Sequence, residues 1–406
     1  MDTDAPGEEL LAGALLAGPR GRRLLFELVD EASTTRGQAQ WAQPAWRYDE
    51  IAPLPEELLE QLAQRLREAV AAVDLDALAA RHQPHELLPA LVESVGSARY
   101  WQHPDATDVA LAEARVAEHL RPLAQAVARA PAAAWWSQPV DPGTQQHLQW
   151  VFEPHEQHAQ PPGPLVSTGA AAAALARWQR EAAAEEERAR RERPRGVGAN
   201  YSGTWWSSPP QLDGLLLSTP VLHAPDASGS RRQPLPVGMA LLEDDPGAEQ
   251  VYARAVRLRE GVRVYEVHDA SDWCALVAAH PRTVTYSRRH DWWRATGWDG
   301  AWALPDWTSV ARQWDGVHLS VRGYLAVSGR LLATTVPGVK SSDDAAAEEV
   351  RLGAARTLLA GWSPAQTYWL TDVVADSGKD ISEPVPWRAT EDYPLRWAPG
   401  PAQDAP

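Results

Sequence analysis

The stretch VRVYEVHDASDWCALVAAHPRTVTYS, residues 262–287, decides the fold of the second half of this chain. Its first residues, 262–267, are rich in valine and tyrosine and predict a strand. A short helix follows over 271–280, capped by Asp269 or Ser271, and 283–287 return to a strand pattern. Strands and helices of this kind recur from Gly196 onward without regular βα alternation. We therefore predict an α+β fold whose sheet is mixed and mostly antiparallel.

Similar patterns occur on both sides of this stretch. The further strands predicted by apolar, β-branched runs are 215–219, 237–242, 316–321, 331–335 and 367–373. A longer helix is predicted over 342–359, because alanine and glutamate dominate there and Gly361 suits a helix end.

The first part of the chain reads as helical. Pro55 suits a first helical position, and leucine and valine then recur at three- and four-residue steps from Leu59 to Val73. A second helix is predicted over 105–130, kinked or split by Pro122. These patterns divide the chain into four parts, namely a helical domain at 1–152, a linker with a charged connecting helix at 153–195, an α+β domain at 196–375, and an extended or disordered tail at 376–406.

Composition excludes several classes of protein. The net charge of −16 repels phosphate backbones, so we expect no duplex nucleic acid as partner. The single cysteine, Cys274, excludes a disulfide framework. Since no run of 18 apolar residues or secretory signal pattern occurs, we expect a cytoplasmic protein without a membrane contact.

Motifs of several enzyme classes are absent from the sequence. It contains no GxGxxG after a strand and no GxxxxGK[ST], HExxH or GxSxG, which argues against dinucleotide-binding Rossmann domains, P-loop NTPases, zincins and α/β-hydrolases. Two HxxH pairs, His82/His85 and His155/His158, have a spacing that could ligate a metal on a helix. Proline interrupts the first pair, and the second lies in the linker, so we expect loop histidines and no metal site.

The densest chemistry lies at 273–318, where seven of the 20 tryptophans are interleaved with arginine, aspartate and histidine. Aromatic faces stack planar ligands and arginine grips carboxylate or phosphate, so some of these residues could line a nucleotide or sugar pocket while most pack in a core. The ligand-binding candidates here are Trp293, Arg294 and Trp298. For acid–base work the candidates are His318, Asp315 and His290, since a neighbouring carboxylate can hold an imidazole in one tautomer.

A second candidate is the loop NYSGTWWSSPP, residues 200–210, in which hydroxyls flank aromatic rings. We assign Tyr201, Trp205 and Ser207 to ligand binding. The alternative is that the segment is a polar loop leading into a strand, because a serine nucleophile also needs a base that sequence cannot place beside it.

Residues 197–375 resemble ADP-ribosyltransferase domains in the order of their pieces. A Tyr/Ser/Thr-rich segment (201–208) precedes a strand ending in Ser-Thr (217–219), a strand followed by a short Asp-Trp helix (262–277), and an Asp-Trp helix that leads into a strand (305–319). The resemblance implies a transferase that uses NAD. The family's late glutamate has no counterpart, because His318 occupies that strand.

Two functions follow as the main hypotheses, and a metal-dependent hydrolase built on the two HxxH pairs is a third. The first is a nucleotide-binding enzyme of the ADP-ribosyltransferase type, with NAD as cofactor or substrate. The second is a non-catalytic scaffold or regulatory protein that binds another protein through Trp-rich surfaces, since Trp, Tyr and Arg favour interfaces.

Overall fold

The fold is described from a computed structural model of the chain. The residues that the structure describes are 5–32, 54–151, 169–212, 214–225, 232–245, 247–337, 352–375, 383–390 and 397–400. The predicted linker at 153–166, with its His155/His158 pair, lies outside them.

Helices dominate the first 130 residues. The α-helices are α1 (Ala5–Ala17), α2 (Pro19–Ala32), α3 (Glu56–Ala71), α4 (Leu75–Ala79), α5 (Leu88–Gly96), α6 (Ala106–Ala112), α7 (Ala114–Ala117), α8 (Arg121–Arg129), α9 (Ala171–Glu192), α10 (Val237–Ala240), α11 (Ala270–Ala279), α12 (Thr285–Thr296), α13 (Trp307–Val310) and α14 (Val321–Val327). The apolar periodicity after Pro55 is confirmed, because Leu59, Leu62, Leu66 and Val70 form the buried face of α3.

The helix predicted over 105–130 is split, as its proline suggested. It forms α6 and α7, then a 3₁₀ turn, then α8, whose second position is Pro122. A proline costs nothing in a first turn, where its missing N–H has no helical partner. The break therefore lies just before it.

The first strand begins at Gln146, just beyond the first third of the chain, and the last one in the described residues ends at Pro399. They are β1 (Gln146–Val151), β2 (Leu216–Thr219), β3 (Val221–Pro225), β4 (Arg232–Pro236), β5 (Gln250–Ala255), β6 (Val264–Val267), β7 (Pro281–Thr283), β8 (Ala303–Pro305), β9 (Gly316–Leu319), β10 (Leu332–Pro337), β11 (Leu352–Thr357), β12 (Gln366–Trp369), β13 (Val385–Ala389) and β14 (Trp397–Pro399).

Eight of these strands form one sheet in the order β14-β13-β5-β1-β2-β12-β9-β6. Its pairs are antiparallel except β6 with β9, which run parallel. Helices gathered mainly in the N-terminal part and a mixed, mostly antiparallel sheet confirm the α+β prediction.

The sheet draws strands from outside the 196–375 range. Strand β1, from the part predicted to be helical, pairs with β2 and β5 at the centre of the sheet. In the predicted tail, β13 and β14 extend the sheet, and Trp387 and Trp397 are buried. Strands β1 and β13 therefore take their places in the sheet by pairing with segments that are distant in sequence, and β14 pairs with β13.

Three predictions of local structure are wrong. Residues 237–240 form helix α10, in which the Gly238 N–H donates to Thr219 Oγ1 at 2.8 Å. Residues 285–287 begin helix α12, because the Glu186 carboxylate of α9 accepts from two of its first N–H groups. Residues 352–357, predicted as helix, pair with β10 as strand β11, so tertiary pairing overrides helix propensity.

The helical part and the sheet share one hydrophobic core. Helix α14, which follows β9 directly, packs against α1 and α2. Gly18, between α1 and α2, lies so close that a Cβ there would be 2.0 Å from the Leu325 carbonyl oxygen. Helix α14 therefore joins the sheet to the N-terminal helices.

Candidate functional site

Most of the tryptophans at 273–314 belong to the core. Trp273, Trp292, Trp302 and Trp307 are fully buried, and Trp273 and Trp307 both contact the buried ring of Trp362. The half-buried ones are Trp293, Trp298 and Trp314. Indole burial of this extent stabilises the fold and leaves only a subset of rings accessible to a ligand.

The predicted ligand residues around α12 make hydrogen bonds that connect α12 with the 194–207 loop and with Trp101; we call this contact region the α12 joint. Arg294 donates to the carbonyl oxygens of Ala199, Tyr201 and Trp101 and to Asp291 Oδ1 at 3.0 Å. Asp291 in turn accepts from the Gly203 N–H. A phosphate at Arg294 would have to replace oxygens that already accept from its guanidinium.

Two more ligand candidates, Trp205 and Ser207, belong to the α12 joint. Trp205 is buried between Trp101 and Trp206, with ring centroids 4.8 and 5.0 Å away. Ser207 is fully buried, and its backbone N–H and its hydroxyl both bond to Ala360. These contacts close the 194–207 loop onto the rest of the domain.

The remaining candidates of this joint make aromatic and cation–π contacts. Tyr201 lies under the Arg193 guanidinium at 4.9 Å and 5.3 Å from the His290 ring. Burial, followed by the charge of Arg289, lowers the pKa of the buried His290. Trp293 meets the His103 ring edge-on.

Trp298 and Asp315 lie apart from this joint. The Arg356 guanidinium covers the Trp298 ring at 5.0 Å. The Asp315 carboxylate pairs with Arg259 at 2.7 Å and accepts from the Arg263 N–H at 2.9 Å. Burial alone would raise the pKa of Asp315, but its hydrogen bonds, the Arg263 ones foremost, outweigh burial and lower it.

His318 belongs to a different arrangement, a polar row across one face of the sheet. Residues paired in register project from the same face. The row crosses six adjacent strands and consists of Glu266, His318, Thr367, Ser218, His147 and Arg254. The His318 Nδ1 lies 2.8 Å from Thr367 Oγ1, and the Ser218 hydroxyl donates to Gln145 Oε1.

One end of the row lies at the carboxyl ends of the parallel strands β6 and β9. Each of these strands adds a second polar side chain two residues on, His268 after Glu266 and Ser320 after His318, and His268 Nδ1 lies 2.9 Å from Ser320 Oγ. We name these four residues the carboxyl-end cluster. In sheets with parallel strands, ligands bind outside the carboxyl ends, so this position favours a site.

The cluster combines a proton-accepting imidazole with a carboxyl group that titrates near neutrality. Burial, against a weaker hydrogen bond from the Val140 N–H, raises the pKa of Glu266 to about 7. Burial and the neighbouring Arg322 lower the pKa of His268. Burial and then His268 lower the pKa of His318 to about 3, so that both imidazoles are neutral at pH 7.

Access to the cluster differs among its members. His318 and Ser320 are buried, whereas Glu266 and His268 are half-buried. The Glu266 Oε1 accepts from the Val140 N–H at 3.0 Å, and its buried Oε2 has no hydrogen-bond partner among the described residues. An unpaired carboxylate oxygen in such a place costs free energy unless another group binds it.

Sequence reasoning missed Glu266, His268 and Ser320. A signal was present, because Glu266-x-His268 and His318-x-Ser320 share a two-residue spacing at the ends of two predicted strands. Of the predicted catalytic residues, only His318 belongs to the cluster; Asp315 lies at the other end of β9, and His290 lies on α12.

We also searched the described residues for a metal site, for a cavity and for a membrane-spanning helix. No group of three or more His, Cys, Asp or Glu side chains within the described ranges could hold a metal ion. A cavity of about 590 Å³ is lined by Pro142, Gly143 and 255–262, which include none of the tryptophans. Over the same described ranges, no helix has the length and apolar character needed to cross a bilayer.

The comparisons with known proteins add no relative. No family model, curated protein or solved structure matches this chain.

Proposed function

We propose that the protein is an enzyme that cleaves the glycosidic bond of a nicotinamide nucleotide such as NAD at the carboxyl-end cluster. The observation that carries the proposal is the half-buried Glu266 carboxyl group, on the same face as His268; burial raises its pKa to about 7, and its Oε2 has no partner within the described part of the chain. NAD is the substrate that the resemblance to ADP-ribosyltransferases implies.

The reaction needs two things that these side chains can supply. When the C–N bond breaks, its electron pair goes to the nicotinamide nitrogen, which leaves neutral, and positive charge develops on the ribose. An ionised Glu266 stabilises that charge. Water or another hydroxyl forms the new C–O bond and gives its proton to His268.

The surroundings of His268 suit an anionic substrate. The Arg322 Nε donates to the His268 carbonyl oxygen at 3.1 Å, which places a guanidinium charge beside the imidazole. Guanidinium groups bind phosphate oxygens well, so Arg322 is our candidate for the pyrophosphate contact. In this proposal Arg322, and not Arg294, binds the phosphate groups of the substrate.

The test is nicotinamide release from NAD, quantified by chromatography, for the wild type, Glu266→Gln and Glu260→Gln. Glu260 is an exposed residue of the turn before β6 and serves as the matched control. We expect Glu266→Gln to lose about 100-fold or more in rate and Glu260→Gln to be unchanged. The wild-type rate should rise as pH passes about 7, since Glu266 must be ionised.

Binding is tested separately by thermal unfolding. NAD at 100 times its Kd should stabilise the protein by about 2.7 kcal/mol. If neither NAD nor ADP-ribose shifts the transition and NAD yields no nicotinamide, the proposal is overturned, and the protein-binding scaffold becomes the hypothesis to test by co-purification.

A further inference from the structure

The Ser320 hydroxyl joins three parts of the protein. It lies between strand β9 and helix α14 and accepts from the Gly323 N–H at 3.0 Å as the cap of that helix. It also lies 3.2 Å from the Val267 carbonyl oxygen at the end of β6 and 2.9 Å from His268 Nδ1.

Counting protons gives the direction of each bond when the hydroxyl makes all three of these contacts as hydrogen bonds. A hydroxyl has one proton to donate and two lone pairs that accept. The Val267 carbonyl oxygen can only accept, and it accepts from the Ser320 N–H as well, so its bond to the hydroxyl uses the Ser320 hydroxyl proton, and the Gly323 N–H takes one lone pair. The second lone pair must accept from His268, which therefore carries its proton on Nδ1 and leaves Nε2 as the acceptor.

Hydrogen bonds also fix the backbone of His268. Its N–H donates to Asp272 Oδ2 at 2.9 Å, and its carbonyl oxygen accepts from Arg322. With the main chain fixed on both sides, the orientation of the imidazole depends on side-chain rotation, which the bond to Ser320 restrains.

We infer that Ser320 is a positioning residue that holds His268 in the Nδ1–H tautomer, with Nε2 ready to accept a proton. Ser320 is 1% exposed and its hydroxyl has all three of its bonds in use, so it is poorly placed to act as a nucleophile itself. The part of this role that concerns catalysis rests on the proposed function, whereas the tautomer does not.

The tautomer can be measured without a substrate. Long-range ¹H–¹⁵N correlation spectra of ¹⁵N-histidine-labelled protein at pH 8 distinguish protonated from unprotonated ring nitrogens, and His268→Gln identifies the signal. We expect wild type and Ser320→Thr to give a single Nδ1–H pattern. Ser320→Ala should lose that pattern and give a mixture of tautomers.

The control for losing a helix cap is Asp306→Ala. Asp306 caps α13 by accepting from the Thr308 and Ser309 N–H groups, and its second carboxylate oxygen accepts from Gln179 Nε2 at 2.8 Å, so its replacement removes a helix cap and a further bond at a distance from His268. The Nδ1–H pattern of His268 should survive in Asp306→Ala. If Ser320 acted only as a helix cap, the pattern would survive in Ser320→Ala as well.

Two results would overturn the inference. One is an Nε2–H pattern in the wild type, which needs no variant to fold, and the other is a wild-type pattern in Ser320→Ala. If NAD is cleaved, Ser320→Ala should lower kcat by about 100-fold and leave KM unchanged. A protein with no activity but an intact Nδ1–H pattern contradicts the proposed function alone.

Discussion

Glu266 and His318 are opposite each other in the parallel register of β6 and β9, and their side chains share one face of the sheet. The carboxyl group is raised in pKa and the imidazole is lowered, both by burial before any other cause. At neutral pH the pair therefore carries at most one negative charge and no positive one. Such a pair can take up and release a proton without creating a buried cation.

His318 should make the protein sensitive to acid. Its pKa in the folded state, about 3, lies below the value of about 6.5 expected when unfolded, so its contribution is complete above pH 6.5 and is lost as pH falls toward 3. We expect His318→Asn to reduce the loss of unfolding free energy on going from pH 7.5 to pH 4.5 by about 2–4 kcal/mol. Urea unfolding measures it, with the exposed His82→Asn as control. Equal pH dependence in all three proteins would contradict the prediction.

Glu243 should act in the opposite direction. Burial raises its pKa to about 7, against smaller lowering effects from Tyr324, the Gly361 and Trp362 amides and Arg20. A carboxyl group with a raised folded pKa stabilises the protein below its unfolded value near 4.3, and this stability is lost as pH rises through 7.

We therefore expect Glu243→Gln to remove a decline of about 2–3 kcal/mol in unfolding free energy between pH 4.5 and pH 8. Urea unfolding at several pH values gives the comparison, with Glu260→Gln as the exposed control. The same slope in wild type and Glu243→Gln would show that Glu243 is ionised throughout this range.

Replacing Arg294 tests whether the nucleotide binds at the carboxyl-end cluster or beside α12. Because its guanidinium donates to four protein oxygens, Arg294→Lys should cost about 1.5–3 kcal/mol of unfolding free energy and leave the Kd for NAD unchanged. The exposed Arg312→Lys should change neither. Unaltered stability together with a weaker Kd would instead place the nucleotide at α12.

Two glycines that are five residues apart in sequence, Gly13 and Gly18, should differ sharply in their response to substitution by alanine. A Cβ at Gly18 would meet backbone atoms of α14 at 2.0 to 2.8 Å, whereas one at Gly13, inside α1, meets nothing within 4 Å. Gly18→Ala should destabilise by about 1–3 kcal/mol or more through overpacking. Gly13→Ala should gain about 0.5–1 kcal/mol from helix propensity. Urea midpoints give both values, and a harmless Gly18→Ala would mean that α14 does not pack this closely.

Features that depend on near neighbours along the chain could be predicted from the amino-acid sequence. The α+β class, the buried face of α3 and the helix break before Pro122 follow from apolar periodicity and from proline chemistry, which act over a few residues.

The way in which distant segments meet depends on tertiary contacts. Strand β11 forms where helix propensity is high because β10 supplies a partner, and α12 begins where it does because Glu186 caps it from another helix. The carboxyl-end cluster needs β6 and β9 side by side and in register, which brings residues 266–268 against 318–320. Register is a property of two segments paired in space, so no reading of either strand alone contains it.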